Sequence, residues 1–236
     1  MIRSEWGLHG VERLREAVAV LVLVDVLSFS TAVDIATARG ARILPFPLGD
    51  RAVAAATAEA AGAVLAAPRY ATGGQFSLSP CTLLDIAAGT RLMLPSPNGS
   101  RLSLEAADVP VLAGCLRNAE AVASAARALA RGGDIAVVPA GERWPDGALR
   151  PAVEDLLGAG AIIDQLGGAM DAEARVARDA YRGAGSDLAA IVRSSASGQE
   201  LIAGGYGEDV ELALAIGASS CAPHLVAGEY RRFTEG

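Results

Sequence analysis

Four short stretches of this chain gather residue types that handle anions and metal ions. In the first, Asp25-Val-Leu-Ser28-Phe-Ser30-Thr31, a carboxylate follows an apolar run and hydroxyls lead into a helical pattern. Such hydroxyls and the free N–H groups of a helix start either cap the helix or face an anion. An acid at the end of that run loses hydration, and a divalent metal is a fitting partner for it. The second stretch is Ser96-Pro97-Asn98-Gly99-Ser100-Arg101, where a glycine admits close backbone approach beside side-chain donors and an arginine. That is phosphate-binding chemistry, or an ordinary Asn-Gly turn. The third is Ala140-Gly141-Glu142-Arg143-Trp144 with Glu154-Asp155 downstream, paired acids that either hold Mg²⁺ or favour a helix dipole. The fourth, Arg193-Ser194-Ser195-Ala196-Ser197-Gly198 followed by Glu208-Asp209, offers hydroxyls and a glycine as ligand contacts or as a helix cap.

The elements that must position these residues alternate. Val18 to Val24 is apolar and rich in β-branched residues, as in a strand buried on both faces. A helix over Ser28 to Ala38, closed near Gly40, a strand over Arg42 to Phe46, a helix over Leu48 to Ala61 and a strand over Ala63 to Ala66 complete β-α-β-α-β. Pro68 to Pro80 loses periodicity and collects Gly73, Gly74, Ser77 and Ser79, the composition of an irregular binding loop. Strands are expected again at Arg91 to Leu94, Val109 to Gly114 and Asp134 to Val138. Helices are expected from the Asn98-Gly99 turn to about Ala107, and after Asn118 to about Ala130. Beyond Pro139 to Pro151 the chain reads as largely helical: Ala152 to Leu166, Asp171 to Tyr181, Ser186 to Val192 and Glu208 to Ile216, with a last strand at His224 to Val226. The expected fold class is α/β, a single domain over 1–236, with two lobes and a boundary near residue 140 as the other arrangement.

Composition removes several kinds of chemistry. The 236 residues are 52% hydrophobic and carry a formal charge of −7, the profile of a soluble globular protein. All 20 cationic side chains are arginines, so Schiff-base and P-loop lysines are excluded. The acid excess argues against a nucleic-acid partner. No basic segment with an apolar signal core and no membrane-length run occurs, so no membrane partner and a cytoplasmic location are expected. Cys81, Cys115 and Cys221 lack paired metal-ligand spacing, and His9 and His224 stand alone.

The order of the clusters resembles that of the 2-phosphosulfolactate phosphatase family. The resemblance runs from about Val20 to Leu225: Asp25-Val-Leu with Ser30-Thr31, Ser79-Pro80, Asn98-Gly99-Ser100-Arg101, Asn118-Ala-Glu-Ala-Val, Gly141, Glu154-Asp155 with Ala159-Gly160, and Ser195-Ala-Ser-Gly198 before Asp209. It implies a three-layer α/β/α sandwich with mixed or largely parallel sheets. It also implies a Mg²⁺-dependent phosphatase that converts 2-phosphosulfolactate to sulfolactate, a step of coenzyme M biosynthesis where that route exists. On this resemblance Asp25, Glu154 and Asp155 are the metal candidates, and Asn98, Gly99, Ser100 and Arg101 meet phosphate or acid groups. Ser30, Thr31, Asn118, Ser195 and Gly198 line the substrate, and Asp209 supports the site. The chain departs from the family pattern at Ser28, where that pattern carries an arginine, and at Pro139, where it carries a cysteine. No Gly-Glu-Arg segment is found around Pro68 to Gln75. Arg69 or Arg143 can compensate for the arginine absent at 28.

The expected reaction is hydrolysis of the phosphate ester of a small anionic hydroxy acid. Asp25, Asn98 and Arg101 form the catalytic set, a water attacks phosphorus and Asp25 accepts its proton. A phospho-aspartate or phospho-serine route is the other chemistry these residues permit. The competing functions are a noncatalytic anion-binding protein on the same fold and a phosphatase for a different phosphoester. A homodimer is the generic oligomer for such a domain.

Overall fold

Two elements without a clear sequence signal precede Val18: strand β1 (Ile2–Ser4) and helix α1 (Gly7–Leu14). A computed structural model describes residues 1–71, 75–106 and 108–235; the expected loop glycines Gly73 and Gly74, and Ala107, lie outside these. The alternation then follows the sequence pattern closely: β2 (Val20–Val24), α2 (Phe29–Ala38), β3 (Arg42–Pro47), α3 (Arg51–Ala60), β4 (Val64–Leu65), β5 (Arg91–Ser96), α4 (Gly99–Glu105), β6 (Val111–Gly114), α5 (Ala119–Ala130) and β7 (Ile135–Pro139). A two-stranded hairpin, β8 (Glu142–Arg143) and β9 (Leu149–Arg150), occupies the loop expected at Pro139 to Pro151. The helical part comprises α6 (Val153–Leu166), α7 (Ala172–Ala184), α8 (Leu188–Ser194), α9 (Ala196–Ala203) and α10 (Gly207–Ala213). A closing hairpin, β10 (Pro223–Val226) and β11 (Glu229–Arg232), adds a strand that the pattern did not reveal.

The main sheet has nine strands among the described residues, in the order β1-β7-β2-β6-β10-β11-β3-β5-β4. Its two flanks, β1-β7-β2-β6 and β3-β5-β4, are each parallel. The antiparallel hairpin β10-β11 sits between them and pairs antiparallel with both β6 and β3, which reverses one flank against the other. The sheet therefore draws strands from both sides of residue 140.

β2 shows why the sheet needs helices on both faces. All five of its residues are buried. Leu21 and Leu23 point into a core with Val11 of α1, Phe29 and Val33 of α2, and Leu102 of α4. Val20, Val22 and Val24 point the other way, into a core with Val122 of α5 and Leu157 and Ile162 of α6. Period-two alternation sends both sets inward only when both faces are covered. The result is the three-layer mixed sandwich.

Strand order places β5 five steps from β2 and running against it. Helix α4, which follows β5, packs across β3, β2 and α1 and so bridges this separation. Leu94 of β5 accordingly shares a core with Leu21 and Leu23 of β2, and the residues after the two strands meet.

Candidate active site

Asp25 leaves the end of β2 only 6% exposed. Its Oδ1 accepts from the Phe29 N–H at 3.1 Å and its Oδ2 accepts from the Gly99 N–H at 3.0 Å, so one carboxylate joins the starts of α2 and α4. Gly99 permits this because a Cβ there would occupy the ring of Phe29. Ser30 and Thr31 brace the same turn. Ser30 Oγ accepts from the Asp25 N–H and donates to Leu23 O, while Thr31 Oγ1 donates to Val26 O at 2.8 Å. Ser100 Oγ donates to Leu94 O, which pins α4 to β5.

Acids from α6 and from the β7–β8 turn complete the cluster. Asp155 accepts from the Val26 N–H at 2.7 Å and from the Gly141 N–H at 2.9 Å, tying the turn after β2 to the turn after the adjacent β7. Gly141 has φ +67°, and a Cβ on it would strike Leu149. Glu154, 2% exposed, has an Oε2 with no hydrogen-bond partner. Glu142 accepts from Asn98 Nδ2 at 2.8 Å.

Charges within this group bear on Asp25, Glu142 and Asp155. Burial pushes Asp25 up to about 6, against the pull of the Phe29 and Gly99 donors, and the charge of Glu154 adds to the rise. Burial, then the charge of Asp25, pushes Glu142 up to about 7. Asp155 is held well above the usual carboxylate range by burial and by the charges of Asp25 and Glu154. Among the described residues no three His, Cys, Asp or Glu side chains already converge as a metal cage. The donor set is nevertheless all oxygen, buried at Asp25, Glu154 and Asp155 and half-buried at Glu142, short of cations and supplied with one unpartnered oxygen. That suits Mg²⁺, which commonly takes one or two carboxylates and keeps several waters.

Arg69 is the cation closest in role to the one the sequence lacks at position 28. Its Nη2 donates to Ser28 Oγ at 2.7 Å and its charge counters the rise of Asp25. It pairs with Asp209, which is 1% exposed and also accepts from Ser79 Oγ at 2.6 Å and from the Cys81 N–H. Arg143 stands elsewhere. With Asn98, Arg101 and Glu142 it lines a cavity of about 300 Å³, walled on another side by Trp6 and Leu149.

The fold thus brings Asp25, Asn98, Gly99, Arg101, Glu154 and Asp155 to one region. Other expected contacts are spent on the scaffold. The Asn118 side chain accepts from the Cys115 N–H and donates toward Asp34 and Ala113 O. Ser195 Oγ caps α9 by accepting from the Gly198 N–H at 3.1 Å, and it donates to Val192 O. Sequence pattern alone does not single out Glu142 or Arg69 as site residues. Glu142 does lie three residues beyond the end of β7, whereas nothing local marks Arg69.

A buried strand-end carboxylate, Asp25, and the buried acids that open α6, near a cavity lined by two arginines, define a layered α/β protein with an acidic cluster. The chain belongs to the 2-phosphosulpholactate phosphatase family, whose model matches residues 9–228. A curated relative named 2-phosphosulfolactate phosphatase, from Methanothermobacter thermautotrophicus, is 40% identical over 125 residues. The match covers 52% of this chain and about half (50%) of that relative's length. No helix among the described residues is long and apolar enough to cross a membrane.

Proposed function

We propose that this chain is a phosphatase that uses Mg²⁺ to hydrolyse the phosphate ester of a small anionic hydroxy acid, 2-phosphosulfolactate or a related compound. The observation that carries the reading is the group of Asp25, Glu154 and Asp155, buried with the Glu154 Oε2 unpartnered, and the half-buried Glu142, which lines a cavity together with Arg101. Family membership and the name of the relative support the same reading.

Glu154, whose Oε2 has no partner, would hold the ion together with Asp25 or Asp155, whose oxygens each also accept one backbone N–H, and with Glu142 within its field. When bound, Mg²⁺ supplies positive charge against the phosphoryl oxygens. The chain's own residues do the rest. Arg101 and the Asn98 amide hold the phosphoryl group. Water adds to phosphorus as the ester P–O bond breaks. The water's proton passes to an Asp25 carboxylate oxygen, and the leaving alkoxide takes a proton from Glu142. A carboxyl titrating near 7 is poised for that transfer at neutral pH.

The test is phosphate release from a panel of phosphorylated hydroxy acids with Mg²⁺ and with chelator. Release that requires the metal is the expected result. Binding of the panel without release in either condition would make the chain an anion-binding protein instead. Independently of turnover, Mg²⁺ should raise the melting temperature, because a ligand bound only to the folded form stabilises it by mass action.

A further inference from the structure

The cavity lined by Asn98, the neighbour of the Asp25-bound Gly99, presents two arginines, more than one phosphate contact requires. This chain has 27 acids to 20 arginines, and many of its arginines are ion-paired. Arg101 and Arg143 both line the cavity, yet among the described residues neither lies within 4.0 Å of a carboxylate. Glu142 lines the same space but accepts from Asn98 rather than from either arginine. Among the described residues Arg143 donates only to Gly147 O, at 3.0 Å across its own hairpin, so most of its fork is unused by them. Arg101 projects from α4, next to Asn98, and Arg143 from β8, on a different element. Two unspent guanidinium groups from separate elements, with Trp6 and Leu149 as an apolar wall, suit a ligand that is anionic at two points along a short carbon frame.

We propose that Arg143 reads a second acidic group of the substrate, a carboxylate or sulfonate, while Asn98 and Arg101 hold the phosphate. The assignment rests on the phosphatase reading for the identity of the first group, and it makes Arg143 a specificity residue.

The experiment compares Arg143→Ala and Arg143→Lys with the unmodified chain on two Mg²⁺-supplemented substrates: 2-phospholactate, which carries phosphate and carboxylate, and phenyl phosphate, which carries phosphate alone. Affinities for 2-phospholactate and for inorganic phosphate are measured by calorimetry alongside. The ratio of kcat/KM for the two substrates should fall by about 10- to 100-fold in Arg143→Ala, the worth of hydrogen bonds to a charged group. Arg143→Lys should recover part of it, since an ammonium lacks the bidentate fork. The exposed Arg175, replaced by alanine, controls for net charge and should leave the ratio in place. Equal losses on both substrates, or an unchanged ratio, overturn the assignment. If no substrate is turned over, calorimetry decides: loss of the preference for 2-phospholactate over phosphate in Arg143→Ala upholds recognition of the second acid while the phosphatase reading falls. A preference that survives the substitution, or no preference in the unmodified chain, overturns the assignment.

Discussion

Two buried aspartates in this protein, Asp34 and Asp25, look alike by burial and differ in what surrounds them. Asp34, on α2, is fully buried, and it accepts from Arg117 Nε at 2.9 Å, Asn118 Nδ2 at 3.3 Å and Ser219 Oγ at 2.5 Å. It has its own cation and a filled acceptor set. The cluster of Asp25, Glu142, Glu154 and Asp155 has more carboxylates, an unpartnered oxygen and Arg69 as the cation felt by Asp25. Burial raises the pKa of Asp34 as it raises that of Asp25, so titration alone does not separate the two. The inventory of partners does. A buried acid matched by its own arginine and donors belongs to the scaffold, whereas buried acids in excess of cations lack a positive partner that a ligand or ion must bring.

The comparison can be broken most severely at Asp25. Asp25→Asn retains the shape and the acceptor for one N–H, so the protein should stay folded while Mg²⁺-dependent phosphate release falls by about 10³-fold or more, the scale of removing a central electrostatic group. Near-normal release from the variant would move the chemistry away from this cluster. At the other aspartate, Arg117→Ala should act on stability, costing about 3–5 kcal/mol by leaving Asp34 buried and unpaired. Denaturant unfolding checks this, with kcat/KM per folded molecule as the control; a loss of activity without a loss of stability would reverse the assignment of the two regions.

Glu142→Gln sharpens the contrast through pH. A carboxyl whose folded pKa is raised binds more protons folded than unfolded. It therefore lowers stability progressively as pH rises from about 4.5 toward 7, and the full penalty remains above that. Removing the charge should raise stability at pH 8 by on the order of 1–3 kcal/mol, and the gain should vanish near pH 4. Melting curves at the two pH values test it. The same variant should lose phosphate release, a stabilising change that costs function. An equal stability change at both pH values would remove Glu142 from the coupled group. The smallest effect is expected at Ser195→Ala, which removes the α9 cap and should cost about 1 kcal/mol. A drop in kcat/KM per folded molecule there would restore Ser195 to the substrate contacts.

Much of the scaffold was legible because it depends on local pattern. The apolar Val20–Val24 run, the Asn98-Gly99 turn and the alternation through β7 follow from side-chain periodicity and turn chemistry, which act over a few residues. Short elements escaped: β1, β8, β9 and β11 are two to four residues long, too brief to show a period, and β11 exists because it finds partners in β10 and β3. The hydroxyl clusters were ambiguous for a different reason. Ser, Thr and Asn serve equally as caps and as ligand donors, and only placement shows that Asn118 and Ser195 bond within the scaffold.

By itself, the sequence determined that an acid ends a buried strand, that Asn98 and Arg101 open a helix after another, and that arginine performs every cationic task. The tertiary structure decided that these ends meet. Inserting the β10-β11 hairpin reverses one flank of the sheet, and α4, packed across β3 and β2, carries Gly99 onto Asp25. The same convergence placed Glu142 against Asn98 and Arg69 against Ser28, contacts 44 and 41 residues apart in the chain. Periodicity carries no information about such pairs, because it reports which face a residue takes within its own element and not which element lies opposite.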